Sequence, residues 1–261
     1  EPNTNLGKDF YMKYMGSKSR VAKDIVPIIQ KCIDDNNIET YVEPFVGGAN
    51  IIDKINCKNK IGNDLNKYLI GLLNYVSNDG ELLQEVSKEL YSEVRGNYLK
   101  ENNYEDWYVG NIGFLASYNG RWFDGGYAKP GYEKTKTGIR YRDYYREGVN
   151  NLLEQKKSLK GIEFISKDYR DIIIPNNSVV YCDPPYKGTK FYLNSVNFNY
   201  DEFWNYIRKI SQDNYVFISE ENAPDDFICI WNKEVSRSIK ATDKSKSSEK
   251  LFIHKEGKFK I

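Results

Sequence analysis

The amino-acid sequence predicts an α/β fold in which a parallel sheet with helices on both faces carries a smaller inserted module. Three observations point there. A short strand, Thr40–Glu43, passes through the glycine turn Gly47-Gly48 into the helix-like Ile51 to Ile55 and a second strand, Lys60 to Asn63, which makes a βαβ start. Strand and helix patterns resume after residue 160 and run to the end. Between them, Tyr104 to Tyr145 is crowded with Trp, Tyr, Gly and Arg, alternates poorly and is rich in turn residues.

Taken in order, Glu1 to Asp9 are polar, lack an initiator Met and read as a loose terminus or tag remnant. Val21, Ile25, Ile28, Ile29, Cys32 and Ile33 recur at helical spacing and predict an amphipathic helix over Val21 to Ile33. The strand Lys60 to Asn63 ends at Asp64, a helix resumes over Leu65 to Val76, and residues 81–101 also read as helical. The aromatic stretch ends at a helix, Tyr144 to Leu159. The apolar run Ile172 to Cys182 reads as buried strand; the sheet resumes with strands at Ile162 to Ser166 and Ser178 to Cys182, then a helix around Asp201 to Ser211 and strands at Tyr215 to Ser219, Phe227 to Trp231 and Lys250 to His254. The Ser/Lys-rich stretch Ser236 to Lys250 reads as a mobile loop.

Composition narrows the function classes. A content of 40% hydrophobic and 15% aromatic residues is far from a disordered chain, and the mean hydropathy of −0.68 marks a wet surface. There is no apolar run long enough to span a bilayer and no secretory signal, so a soluble cytoplasmic protein is expected. Four scattered cysteines and a single histidine, His254, suggest neither a zinc site nor a disulfide framework, and argue against Ser-His-Asp or Cys-His chemistry. No metal is expected. Although the net charge is only +1, residues 118–160 hold ten Lys or Arg against five Asp or Glu, and residues 236–261 hold eight against three. Two basic segments on an otherwise acidic body fit a local polyanion-binding face, or else two solvated loops.

The motif with most chemistry is Asp183-Pro184-Pro185-Tyr186, placed after a strand. The prolines fix φ and remove backbone donors, so the Asp183 carboxylate and the Pro184 carbonyl become adjacent acceptors in a stiff loop. Tyr186 adds a stacking face. Such a loop can hold a flat, amino-bearing base; the plain alternative is a proline-rich turn ending a core strand. Gly47 and Gly48 allow close backbone approach to a ligand, a weak signal alone because a full GxGxxG is missing. Asp64 ends the next strand, where an acidic side chain can take two ribose hydroxyls.

These strings together carry a resemblance. Lys13-Tyr14-Met15-Gly16-Ser17-Lys18, Glu43-Pro44-Phe45-Val46-Gly47-Gly48-Ala49-Asn50, Asn63-Asp64, Tyr118-Asn119-Gly120-Arg121, Lys167-Asp168-Tyr169 and Asp183-Pro184-Pro185-Tyr186 occur in the order found in Dam-like adenine-N6 DNA methyltransferases. The resemblance runs from about residue 11 to the C-terminus. It implies a Rossmann-like class I methyltransferase sheet, with residues 11–80 and 160–261 forming a catalytic domain that binds S-adenosylmethionine and residues 81–159 a target-recognition domain. It also implies that Asp183 and Pro184 grip the exocyclic amine of a flipped adenine in duplex DNA, with Tyr186 stacking on the base. Asp64 would hold the cofactor's ribose and Asp168 its adenine amine, with Tyr169 beside it. Tyr14, Lys18, Glu43, Phe45 and Gly47 would line the methionine end and the ring.

By the same resemblance Asn119 and Arg121 are base readers and Tyr118 a wedge, with Lys13 a further candidate, while Arg140, Arg142 and Arg146 suit phosphates; the plain alternative for each is packing in the small core of the insert. GATC is the expected target, a monomer the expected state. One departure stands out: members of the family commonly carry Gly-Ala-Gly where this chain has Gly47-Gly48-Ala49-Asn50. Rival readings are methylation of cytosine N4, an RNA adenine or a protein glutamine, a DNA-binding relative without catalysis, and a nicotinamide-dependent oxidoreductase. Asp183 favours DNA adenine among the acceptors, and the absent GxGxxG disfavours the oxidoreductase.

Overall fold

The computed structural model describes residues 11–100, 103–135, 137–185, 198–240 and 243–259, with the backbone alone for 235–240 and 243–247. The chain divides into two compact units, each built from separated segments. One comprises the chain up to Arg20, Gly47–Asp53 and Lys67–Lys160; the other comprises Val21–Val46, Lys54–Asn66 and the chain from Gly161 onward.

The second unit is built on a seven-stranded sheet. Its strands are β1 (Thr40–Glu43), β2 (Asn59–Asn63), β5 (Ile162–Ile165), β6 (Val179–Cys182), β7 (Tyr215–Glu220), β8 (Phe227–Lys240) and β9 (Asp243–His254), in the order β5-β2-β1-β6-β7-β9-β8. The first five in that order are parallel; β9 runs antiparallel to β7 and β8 antiparallel to β9. This is a mostly parallel α/β sheet, as the resemblance implies. Helix α1 (Ala22–Asp35) buries Ala22, Ile25, Ile29, Cys32 and Ile33, the stripe its periodicity predicts. Helix α6 (Tyr200–Ile210) starts where Asn199 Oδ1 accepts from the Glu202 N–H at 3.1 Å, and it buries Phe203, Trp204 and Ile207 among Val42, Val180, Val216 and Ile218. Each such side chain contributes about 2 kcal/mol by leaving water.

The first unit holds α2 (Lys67–Ser77), α3 (Lys88–Asn97), α4 (Asp106–Gly110), the ribbon β3 (Gly131–Thr135) and β4 (Gly138–Arg142), and α5 (Tyr144–Leu159). Trp122 and Phe123 form its aromatic centre. Trp122 stacks on Tyr68 at 5.4 Å and meets Phe114 at 4.5 Å; Phe123 meets Tyr91 and Tyr98 at 5.3 and 5.2 Å. After α4 the chain widens into a π-helical turn, Asn111–Leu115, where a Cβ on Gly113 would stand 2.6 Å from the Trp122 ring. Only glycine fits so close to that indole.

Several elements differ from the sequence expectations. Ile51 to Ile55 forms a single 3-10 turn, Ile52–Lys54, so no long helix aims its N-terminus from the glycine turn. The strand expected at Ser178 to Cys182 forms as Val179–Cys182, whereas the run before it, from Ile172, is not strand: Asn177 has φ +64, Ser178 Oγ donates to the Pro175 carbonyl, and Ile173 is 85% exposed. Within residues 81–100 the helix begins at Lys88, capped by Ser87 Oγ accepting from the Leu90 N–H at 3.1 Å. Ser236 to Lys250 is not a loop. Its described backbone continues β8 and β9 as a paired hairpin, with register shifts at Cys229/Trp231 and Ser238/Lys240. The ribbon β3-β4 was also not foreseen, because its exposed residues show no apolar face to a core.

Candidate active site

Strands β1 and β6 are neighbours, yet the chain continues from β1 toward β2 and β5 and from β6 toward β7 in the opposite direction. The strand order reverses at this junction, which in open parallel sheets is where ligands bind beyond the carboxyl ends of the strands. Glu43-Pro44-Phe45 leave β1 there and Asp183-Pro184-Pro185 leave β6. Tyr41, Val42, Val180 and Cys182 are wholly buried, so both loops spring from fixed backbone.

On the β1 side, Glu43 is 2% exposed and its Oε1 accepts from the Tyr41 hydroxyl at 2.7 Å. Burial, reinforced by the Glu43 charge, pushes the Tyr41 phenol well above its ordinary range, so it stays a donor. Asn63, at the end of β2, ties the neighbouring loops together. Its Nδ2 donates to the Pro44 carbonyl at 2.9 Å and the Lys167 carbonyl at 3.0 Å, and its Oδ1 accepts from the Lys167 N–H at 2.9 Å. Asp64 follows, half-buried, with Oδ1 accepting from the Asn66 N–H at 2.9 Å. Phe45 and Tyr169 lie 5.2 Å apart, and both meet Phe203 at about 6 Å. Burial moves the Tyr169 phenol up to about 12. Both Asp168 oxygens accept from the Arg170 guanidinium at 2.8 Å, which lowers the carboxyl below its usual range, and Arg170 also reaches Glu202 at 2.8 Å.

On the β6 side, Asp183 is half-buried and Pro184 buried. The Tyr200 hydroxyl donates to the Pro185 carbonyl, anchoring the loop to the first residue of α6. Burial, then the Glu43 and Asp183 carboxylates, pushes the Cys182 thiol up, so this cysteine is not a nucleophile. Tyr186 lies outside the described residues.

The first unit holds the remaining sequence candidates. Gly47 has φ +50, and a Cβ there would stand 3.0 Å from the Tyr14 ring, so the turn and Tyr14 fit face to face only with glycine. Lys18 is 5% exposed. Asn50, at the end of the Gly47-Gly48-Ala49 turn, is used structurally: Nδ2 donates to Ser17 Oγ at 2.7 Å and to the Met12 carbonyl at 3.3 Å. Lys13, Tyr118, Asn119 and Arg121 come together. Gly120, at φ +65, lets that turn touch the Lys13 backbone, where an added Cβ would meet the carbonyl oxygen at 2.1 Å. Tyr118 is 45% exposed and packs 5.2 Å from Tyr144, while Asn119 and Arg121 are exposed. Lys13 pairs with Glu147 at 3.1 Å. Arg140 pairs with Glu133 at 2.6 Å; Arg142 forks onto Glu147 and stacks 4.1 Å over Tyr144, so both guanidiniums have protein partners. Arg146 makes a 3.8 Å pair with Asp143.

Asn63, Tyr200 and Gln155 were not singled out from sequence. Each acts on backbone groups distant in the chain, and only the Asn63-Asp64 string hinted at one of them. Among the described residues no three His, Cys, Asp or Glu side chains gather as a metal site, and no helix is long and apolar enough to cross a membrane.

The family model described as D12 class N6 adenine-specific DNA methyltransferase matches residues 14–223. Type II methyltransferase M.MjaIII of Methanocaldococcus jannaschii is 29% identical over 201 residues, covering 68% of this chain and 68% of its own. Type II methyltransferase M.FokI of Planomicrobium okeanokoites is 25% identical over 232 residues, and modification methylase StsI of Streptococcus sanguinis 25% over 195. The matches cover 76% and 67% of this chain but only 32% and 28% of those two longer proteins. The matched span takes in the glycine turn, the aromatic first unit and the Asp-Pro-Pro loop alike, and the chain belongs to the D12 class N6 adenine-specific DNA methyltransferase family.

Proposed function

We propose that this chain transfers a methyl group from S-adenosylmethionine to N6 of an adenine flipped out of duplex DNA. The observation that carries the reading is the reversal of strand order between β1 and β6, with an acidic, proline-stiffened loop at the end of each strand. N6 is a poor nucleophile because its lone pair is delocalised into the ring. The Asp183 carboxylate and the Pro184 carbonyl accept its two N–H groups, which favours a pyramidal nitrogen and frees the lone pair. The proton shed after transfer leaves along the hydrogen bond to Asp183. Catalysis is then mainly positioning and electrostatic support for charge growing on nitrogen. When bound, S-adenosylmethionine supplies an electrophilic methyl on a sulfonium.

The observed geometry fits that cofactor's parts. Half-buried Asp64 suits the ribose hydroxyls, the Phe45 and Tyr169 rings suit adenine with Asp168 at its amine, and Glu43, fixed by Tyr41, suits the cationic methionine end. Tyr14, Lys18 and Gly47 complete the proposed cofactor set. Extrusion of the base costs a few kcal/mol, of which stacking on Tyr186 returns about 1–3 kcal/mol.

DNA contacts are assigned to residues 81–159 as the target-recognition domain, with residues 11–80 and 160–261 catalytic. Lys13, Asn119 and Arg121 read bases and Tyr118 fills the gap left by the flipped base. Arg140 and Arg142 support the two-stranded ribbon, a shape that enters a major groove, whose outer face carries Tyr132 at 79%, Ile139 at 71% and Tyr141 at 56% exposure. GATC is the proposed site, on the strength of the Tyr118–Arg121 string, and the protein acts as a monomer.

The test is transfer of labelled methyl to unmethylated duplex DNA by wild type and Asp183→Ala, with the modified base mapped by single-molecule sequencing. N6-methyladenine at one short motif, lost in the variant, supports the reading. Cofactor binding without DNA labelling overturns it.

A further inference from the structure

Gln155, on α5, is 3% exposed and bonded at both ends of its amide. Its Oε1 accepts from the Met12 N–H at 3.0 Å. Its Nε2 faces the carbonyls of Gly48 at 3.1 Å and Ala49 at 3.2 Å, Asn50 Oδ1 at 3.3 Å and the Asp53 carboxylate at 3.0 Å. Four oxygens around one nitrogen fix the orientation of the amide. Ala49 holds φ +57, a conformation disfavoured for a residue with a Cβ and kept only where its surroundings over-determine it. The Gln155 bonds to the carbonyls on both sides of that φ supply the determination.

The same helix reaches the DNA-facing cluster. About two turns before Gln155, Glu147 pairs with Lys13 at 3.1 Å, the residue next to Met12, and Tyr144 lies 5.4 Å under Lys13 and 5.2 Å from Tyr118. Met12 and Lys13 are thus held by one helix at two points, one shared with the glycine turn and one with the Tyr118–Arg121 turn.

We propose that Gln155 is a positioning residue that couples the cofactor turn to the DNA-contacting cluster, so that filling the turn tightens DNA binding by ordering Met12 and Lys13. The inference rests on the function proposed above. Coupling of this kind is reciprocal, and it needs a shared physical element, which the Gly48–Gln155–Met12 bonds provide.

The test measures binding of S-adenosylhomocysteine by calorimetry, and of a fluorescent unmethylated duplex with and without it, for wild type, Gln155→Glu and Gln155→Met. Glu keeps the shape and the acceptor but replaces the donor with a carboxylate facing four oxygens. The expected result is tighter DNA binding with S-adenosylhomocysteine in wild type, a tightening factor near 1 in both variants, and about tenfold weaker S-adenosylhomocysteine binding. An unchanged tightening factor in the variants overturns the coupling, even if cofactor binding weakens, as does its absence from wild type. Should the variants melt early, hydrogen exchange of wild type decides. Protection of residues 12–18 and 144–155 by S-adenosylhomocysteine supports the coupling, and protection elsewhere alone overturns it. A wild type that binds no S-adenosylhomocysteine sinks the cofactor reading itself.

Discussion

Asn63 grips Pro44. From the buried end of β2, its side-chain amide donates to the Pro44 carbonyl over 2.9 Å, so the loop leaving β1 is held by the next strand. The same side chain exchanges two bonds with the Lys167 backbone, placing the Asp168 loop as well. Asn63→Ala leaves these buried groups unpaired at a cost of about 2 kcal/mol, lowering Tm by about 4–8 °C. Cofactor affinity falls about tenfold because Phe45 and Tyr169 lose register. Calorimetry of both quantities checks this, and a stability loss with intact affinity would show that the clamp serves folding alone.

Gly120→Ala presses a Cβ into the Lys13 carbonyl, 2.1 Å away in the native backbone, at φ +65. The Tyr118–Arg121 turn must retreat. DNA affinity is expected to drop by tenfold or more, while S-adenosylhomocysteine binding by the folded variant stays within about twofold of wild type. Fluorescence anisotropy with a labelled duplex reads the first and titration calorimetry the second.

Tyr132 and Tyr141 face each other across the ribbon with ring centroids 5.3 Å apart, yet both are mostly exposed. Truncating both to Ala removes little buried surface, so stability changes by about 0.5 kcal/mol. If the ribbon lies on DNA, the double variant loses affinity across all sequences. Wild-type DNA binding in that variant would remove the ribbon from the interface.

Asp226 takes a forked pair of bonds from Arg208 at 2.6 and 2.9 Å, with His254 Nε2 3.3 Å away, and its carboxyl is lowered to about 2 from the ordinary 3.8. A folded value below the unfolded one gives stability that is complete above about pH 4 and lost as pH falls through about 2. Because the side chain is 37% exposed, solvent screening limits the effect to about 1 kcal/mol. Urea unfolding at several pH values should show this loss in wild type and not in Asp226→Asn.

Much of the fold was legible because burial wrote it into the residues. Strand β6 is apolar and buried on both faces, and α5 matches its expected bounds, Tyr144 to Leu159, where Asp143 accepts from the Arg146 N–H at 3.0 Å to start it. Ile51 to Ile55 misled because a five-residue segment apolar only at Ile51, Ile52 and Ile55 fits a 3-10 turn as well as a helix. The β8–β9 extension was invisible because alternating Ser and Lys has no hydrophobic period, while its pairing is made by backbone. Of the candidate site, the Asp-Pro-Pro loop announced itself by residue type, and Phe45 entered only through the family resemblance. Asn63 and Gln155 did not, since each holds backbone carbonyls far away in sequence, Lys167 for Asn63 and Gly48 for Gln155.

The first unit gathers its parts from three stretches of chain, and its middle stretch is only Gly47–Asp53. A graft of Lys67–Lys160 from a relative of different sequence preference would therefore arrive with a foreign residue at Gln155 and no matching Met12, Gly48 or Asn50 to receive it. Recombination that swaps specificity within such enzymes has to carry all three stretches together, so an apparently modular recognition segment inherits as a linked set.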